Sequence, residues 1–518
     1  MYDLIIKNGV VIDGTGSPGY HADVAVKDGI IAKIGRGLEG AAKTIDAAGL
    51  VVTPGFIDSH GHADVQVLKR PDMTEKIEQG IIASVNGQCG SSNVPLSKVE
   101  KRESFKELEG LGNEYDLRSD PVKYFASQRE RKLGSGMIQL IGHGTLRRAV
   151  VGIENRAPSA EELEKMKDLL RVCMENGAKG LSFGLYYAPG SYATTEEAVE
   201  IAKVIAEYNG VIAAHIRNEA HDLAKSVREY LTILEQANVR GVISHHKATF
   251  PENWGKVTHT LRMIDEAVEK GMDLYCDVYP YTATSTPLAA RFLPSTELAR
   301  GDDGVADALG DPAFRAEMRA WATKTYGTDK CDWVLINQCK AFPEYSGRFV
   351  SDIAKERGQS DLDTVYDIIR ACRIYCSANY FTICEEDLET VIRHPRAMIC
   401  TDAGVLSKPG NLHHPRMRGA FPRAIARYVR EKGIVSLPEM IRKMTAMPAR
   451  VYDLPGKGLV HEGMDADLCI FDAEKLRDCC TYQDCHARNE GLSYVLVAGE
   501  VVVEDGVHNG KRMAKAVL

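Results

Sequence analysis

Eight short apolar runs recur through the middle of this 518-residue chain, with helical patterns between them. The runs are Val51–Ile57, Gly80–Val85, Met137–Ile141, Gly180–Phe183, Gly210–Ala214, Arg240–Ser244, Asp273–Val278 and Ala397–Cys400. Amphipathic helices are expected at Ser159–Asn176, Glu196–Tyr208, Leu223–Ala237 and Val257–Lys270. Parallel strands need a crossover connection, usually a helix, so this alternation makes a parallel sheet. Eight repeats predict an α/β fold of the (β/α)8 TIM-barrel type. A doubly wound open sheet is the rival. The chain has no G-x-G-x-x-G opening a helix, so nucleotide binding is not supported.

Both ends read differently. Leu4–Ile12, Ala22–Lys27 and Ile30–Ile34 are strand-like, with Asp28-Gly29 among the turns. Asp465–Phe471 and Ser493–Val503 return to that texture, with Ala498-Gly499 and Asp505-Gly506 as turn signals. The expectation is a small β-sandwich domain from residues 1–53 and 458–518 around a barrel at 54–457. More than a hundred residues, from about Thr282 to Arg396, separate the seventh and eighth runs. They predict an insertion, placed at 286–345 and read as a lid over the barrel mouth. Arg300–Gly310 within it reads as a flexible loop.

Composition narrows the function. A net charge of −8, with no basic stripe, argues against a nucleic-acid partner. No apolar segment is long enough to span a bilayer. Met1-Tyr-Asp-Leu-Ile-Ile-Lys lacks the n- and h-regions of a signal peptide. Thirteen scattered cysteines fit reduced thiols, so a cytoplasmic enzyme is expected. Cys479-Cys480 reads as incidental.

The chemistry gathers where the runs end. The first is followed by His60-Gly-His62, whose imidazoles share one face because a strand alternates with period two. Cys89 follows the second run, His215 the fifth, His245-His246-Lys247 the sixth and Asp402 the eighth. The C-terminal mouth of a barrel is where its chemistry sits. A thiolate with two neutral imidazoles makes a three-ligand zinc site with an open position, and the thiolate disfavours magnesium and calcium. His60, His62 and Asp402 can complete a second site. Asp402 can then take a proton from water and pass it to a leaving amine.

These pieces resemble the N-acyl-D-amino-acid deacylases (D-aminoacylases) of the metal-dependent amidohydrolases. Matching segments are Pro54-Gly-Phe-Ile-Asp-Ser-His-Gly-His62, Gly87-Gln-Cys-Gly90, Gly142-His-Gly-Thr-Leu-Arg147, His215-Ile-Arg-Asn-Glu219, Ser244-His-His-Lys247, Tyr279-Pro-Tyr-Thr282, Thr401-Asp-Ala-Gly404 and His414-Pro-Arg416. The resemblance implies a tightly bound zinc at Cys89, His215 and His245, and a weaker or optional metal at His60, His62 and Asp402. It implies Asp402 as general acid/base. It also implies that Lys247, Tyr192, Tyr281 and Arg416 hold the substrate carboxylate. The chain departs from the family at Gly61, commonly Thr, at the serines after Gly90, and at the extra Ala403. The implied reaction cleaves a small N-acyl-D-amino acid into a carboxylate and a free D-amino acid. A cyclic amide, imide or dipeptide-like substrate is the alternative, and a non-catalytic scaffold the third reading. Oligomeric state is not legible.

Overall fold

The computed structural model describes residues 1–96, 117–373, 376–406 and 412–515. Eight parallel strands form its centre: Phe56–Asp58, Ile81–Asn86, Gly136–Gly142, Gly180–Gly184, Val211–His215, Arg240–Ile243, Leu274–Val278 and Ala397–Ile399. Each neighbours the next along the chain, as a barrel requires. Between the eighth strand and the first, the Asp402 N–H donates to His60 O (2.8 Å) and the His62 N–H to Ala403 O (3.0 Å). Gly61 and Ala403 form a parallel bridge there. The ring is therefore sealed beside the residues expected to bind metal.

Helices cover the outside. Ala160–Glu175 opens with a capping box, in which Ser159 and Glu162 each satisfy the other's backbone N–H. Thr194 caps Thr195–Glu207, and Leu223–Ala237 and Lys256–Glu269 follow. Their buried faces are mostly apolar, as the periodicity required, with Glu197, Ser226, Tyr230 and Thr260 as the polar members.

The first apolar run serves two sheets. Val51–Pro54 pairs antiparallel with Leu468–Phe471 of the terminal domain, while Phe56–Asp58 belongs to the barrel. The switch is at Gly55, whose N–H donates to Asp467 O (2.8 Å). A Cβ at Gly55 would lie 2.5 Å from Ile82 Cγ2, so only glycine lets the run cross between the sheets. The terminal domain draws on both chain ends, hydrogen-bonded as one nine-stranded sheet that includes Ala41–Asp46, a strand the sequence reading missed. Its core joins Leu4, Ile6, Val24 and Val52 to Leu468, Ile470 and Leu496. Ala514–Lys515 leaves this sheet and pairs with Lys132–Leu133.

The insertion has its own antiparallel sheet, in which Ser377–Tyr380 runs between Thr284–Pro287 and Val334–Gln338. It thus extends past the expected boundary at 345. Its middle strand, Ser-Ala-Asn-Tyr, is too short and too mixed in polarity to announce itself. The stretch read as a flexible loop is helical over Gly301–Ala308. Val305 and Leu309 there bury against Phe292, Tyr366 and Ile369, and this packing outweighs the glycine content.

A buried clamp reinforces barrel closure. Lys76 Nζ donates to Asp58 Oδ2 (2.7 Å), Thr401 Oγ1 (2.6 Å) and Ala403 O (2.8 Å). Both Lys76 and Asp58 are fully buried. Asp58 Oδ1 accepts from the Thr401 N–H (2.8 Å), tying the first strand to the eighth. Lys76→Met should leave Asp58 buried without its cation. The expected loss is about 3–5 kcal/mol, read as a lowered denaturant midpoint; an unchanged midpoint would show that the clamp carries no stability.

Candidate metal centre

The residues expected at the strand ends meet at one mouth of the barrel. Cys89 Sγ lies 3.4 Å from His60 Nε2, 3.4 Å from His245 Nε2 and 3.6 Å from His215 Nδ1. His60 Nε2 is 3.3 Å from His62 Nε2, which is 3.0 Å from Asp402 Oδ1. The donors fall into three overlapping groups: His60 with Cys89 and His245, His60 with His62 and Asp402, and His215 with Glu219 and His245. Ring nitrogens, a thiol and a carboxylate pointed at one another cannot all be satisfied by sharing protons. Cations placed among them can satisfy all of them, and the sulfur with imidazoles suits zinc.

Local backbone aims these side chains. Cys89, His245 and Asp402 all have positive φ, at 52°, 36° and 46°. Such conformations cost about 1–3 kcal/mol each outside glycine and persist where the surroundings enforce them. For Asp402 the enforcement is the seal to His60 described above. For His245 it is Asp277, whose Oδ1 accepts the His245 N–H at 2.6 Å. The other oxygen of Asp277 faces His60 Nδ1 at 3.7 Å, so one carboxylate orients two candidate ligands.

Three departures from the family pattern can be seen in their structural settings. A Cβ on Gly61 would sit 2.2 Å from Ser84 Oγ, so the commoner Thr would require Ser84 to move. The extra Ala403 supplies the carbonyl that accepts from both Lys76 and the His62 N–H. Ser92, one of the serines after Gly90, ties the Cys89 loop to the third strand by accepting the Gly142 N–H at 2.9 Å.

Electrostatics separate the roles. Burial would raise the Asp402 carboxyl, but Arg416 and His245, with the imidazoles of His62 and His60, hold it well below the carboxylate range. Burial likewise opposes ionisation of Cys89, and His60 and His245 override it. Glu219 is held ionised against burial by Lys247, His215 and His245. It lies 3.0 Å from His245 Nδ1 and fixes which nitrogen faces the sulfur.

The expected substrate-binding residues are placed unequally. Arg416 is buried, its Nη1 2.8 Å from Asp402 Oδ2. That approach is not aligned as a hydrogen bond, and Arg416 Nη1 and Nε meet no acceptor among the described residues. Lys247 Nζ is already engaged by Glu219 Oε1 (2.6 Å), His245 Nδ1 (2.8 Å) and His245 O (2.7 Å). The Tyr281 hydroxyl donates to Asp478 (3.3 Å) beneath the Arg423 guanidinium. The Tyr192 hydroxyl donates to Ser295 O (2.8 Å) in the insertion. The ring under Arg416 is instead Tyr279, 4.5 Å from its Cζ, and the buried Tyr279 hydroxyl has no partner among the described residues. His246 turns away to Thr260.

Glu219, Asp277, Tyr279 and Tyr187 were missed as site residues. Glu219 follows His215 by four positions, and Asp277 is a charge inside an apolar strand; both were readable signals. Tyr187 packs edge-on against His215, 4.9 Å between centroids, and its hydroxyl meets Thr286 of the insertion.

Comparison with known proteins places the chain in a family. The amidohydrolase family model matches residues 43–325 and 388–503. A D-aminoacylase from Alcaligenes xylosoxydans xylosoxydans is 34% identical, covering 99% of this chain and 98% of its own. The crystal structure of N-acyl-D-glutamate deacylase from Bordetella bronchiseptica, complexed with zinc and a phosphonate mimic of the tetrahedral intermediate, has a TM-score of 0.84. It is 33% identical, covering 100% of this chain and 99% of that one. A D-aminoacylase structure with a binuclear metal centre, activated by one metal and attenuated by a second, also gives 0.84, at 32% identity over 100% of both chains. By family match, by full-length identity and by fold, the chain belongs to the amidohydrolase family, among its N-acyl-D-amino-acid deacylases.

Proposed function

We propose that this protein is a zinc-dependent deacylase that hydrolyses the amide of N-acyl-D-amino acids, releasing a carboxylate and a free D-amino acid. The observation that carries the reading is Asp402, set between metal-type donors on one side and a buried guanidinium on the other. Cys89, His215 and His245 would hold the essential zinc; His60, His62 and Asp402 would hold an optional second ion. Bound zinc supplies Lewis acidity and lowers the pKa of water towards about 7.

The protein's own groups supply the rest. Asp402, ionised at neutral pH, accepts the proton of the attacking water. It returns that proton to the amide nitrogen, which leaves as an amine. Arg416 offers Nη1 and Nε to the substrate α-carboxylate, and Tyr279, whose ring lies under the guanidinium, adds its hydroxyl. Lys247 adds positive charge while orienting His245 through Glu219. A carboxylate fixed on one side and a carbonyl fixed on the other allow one enantiomer to seat its side chain.

The same reading takes the partner to be a small N-acyl amino acid and the setting to be the cytoplasm. Thirteen free cysteines support a reducing compartment. Among the described residues no helix is long and apolar enough to cross a membrane.

A panel of N-acetyl-D- and N-acetyl-L-amino acids, assayed with added zinc, tests the reaction. Turnover of D substrates is expected, and Cys89→Ala should lose both activity and bound zinc. A preference for L substrates would overturn the assignment. Asp402→Asn should lower kcat by about 10²–10⁴-fold, and near wild-type turnover would remove Asp402 from the proton path. Arg416→Met should lower kcat/KM by roughly 10- to 150-fold. The loss should shrink for amide-capped substrates, which carry no carboxylate. Tyr279→Phe should show the same acid-selective loss, whereas Tyr281→Phe should not distinguish acid from amide; the reverse pattern would return the role to Tyr281.

A further inference from the structure

The insertion carries a second sulfur cluster, remote in sequence from Cys89. Cys339 follows the strand Val334–Gln338, Cys372 ends the helix Asp361–Cys372, and Cys376 precedes the middle strand Ser377–Tyr380. Cys339 Sγ and Cys372 Sγ are 3.2 Å apart. That is closer than two non-bonded sulfurs ordinarily pack, and it lies within the hydrophobic core of the insertion. Cys376, four residues beyond Cys372, belongs to the same core. Cys173 and Cys276, by contrast, sit in the core of the barrel.

We propose that Cys339 and Cys372 form a thiol–disulfide exchange site, with Cys376 as the adjacent third thiol, that takes low-molecular-weight disulfides as its oxidant. The site can discriminate between the sulfurs. Cys372 accepts a backbone N–H from Ala341 at 3.5 Å. It is also the most exposed of the three, at 7% against 2% for Cys339 and 1% for Cys376. Contacts with Cys339 and Cys376 lower its thiol pKa, which favours the thiolate needed for attack.

The exchange balances without any further reagent. The Cys372 thiolate attacks one sulfur of the small disulfide, forming a mixed disulfide and expelling one thiolate. Cys339 then attacks the Cys372 sulfur, closing the protein disulfide and expelling the second. Two electrons pass from the protein thiols to the oxidant, and their two protons end on the two released small thiols. Within a reducing compartment such a bond is transient, as redox-sensing disulfides are.

Closing the bond would join positions 33 residues apart, linking one strand of the insertion to its helix. That sheet reaches the metal centre. Thr286 meets the Tyr187 hydroxyl at 3.3 Å, and the Tyr187 ring rests on His215. Redox state in the insertion is therefore mechanically connected to a metal-holding residue.

The test uses zinc-loaded full-length enzyme treated with glutathione disulfide, then alkylated and mapped by mass spectrometry. The expected product is a peptide linking Cys339 to Cys372, with two fewer alkylated thiols. An unfolding temperature raised by on the order of 5 °C, reversed by dithiothreitol, should accompany it. The double variant Cys339→Ser/Cys376→Ser, which removes both neighbouring thiols, should trap the glutathione adduct on Cys372 and abolish the thermal shift. Two outcomes would overturn the proposal: all three thiols alkylating with no linked peptide, or a stable glutathione adduct on the wild-type enzyme. Each is read without an activity assay, so failure here is separable from failure of the deacylase assignment.

Discussion

Closure of the barrel between its first and eighth strands is the constraint on which the site depends. His60, His62 and Asp402 lie immediately beyond that seam, and a slip of one residue would turn their side chains to the other face. Two backbone hydrogen bonds alone would leave it open to fraying. The Lys76 ammonium, buried with Asp58 and Thr401, adds charge-assisted bonds in a low-dielectric setting where each is strong. Removing water from such a pair is expensive, so its presence here fits a need for registry more than a need for stability.

Asp402 is the junction between binding and chemistry. Its backbone is locked by the seam, one oxygen meets His62, and the other faces Arg416. On the deacylase reading, a substrate carboxylate arriving at Arg416 would share the guanidinium charge that now falls on Asp402. The Asp402 carboxylate would then become a better base at the moment the amide is in place. A ligand lacking that carboxylate would leave Asp402 neutralised by Arg416.

Much of this was legible in the sequence because the barrel repeats one simple rule. Apolar runs with metal-type residues at their ends located seven strands closely and brought Cys89, His215, His245, His60, His62 and Asp402 together. The first run failed as a single strand because Val51–Ile57 is apolar throughout, and hydrophobicity cannot report a change of sheet at Gly55. Tyr279 and Tyr281 could not be separated for a related reason. They follow the seventh strand, which ends at Val278, so the alternation that orients residues inside a strand no longer applies. Lys76 was invisible because a lysine on a short helical turn is ordinarily solvated; only three-dimensional closure reveals its partners. The insertion was misjudged in extent because its sheet is held by non-local pairing between short, mixed strands.

The shared run also dictates an order of events during synthesis. Val51 pairs with Phe471, so the edge that Val51–Pro54 presents is covered by chain made roughly 400 residues later. At ribosomal rates of about 5–20 residues/s that interval is about 20–80 s. Throughout it the nascent N-terminal strands carry an open β edge, a template for pairing with other chains. Val51–Pro54 runs directly into the first barrel strand, so that edge cannot drift away from the rest of the molecule. The sheet that Val51–Pro54 enters is thus completed only after the barrel strands that follow it have been made.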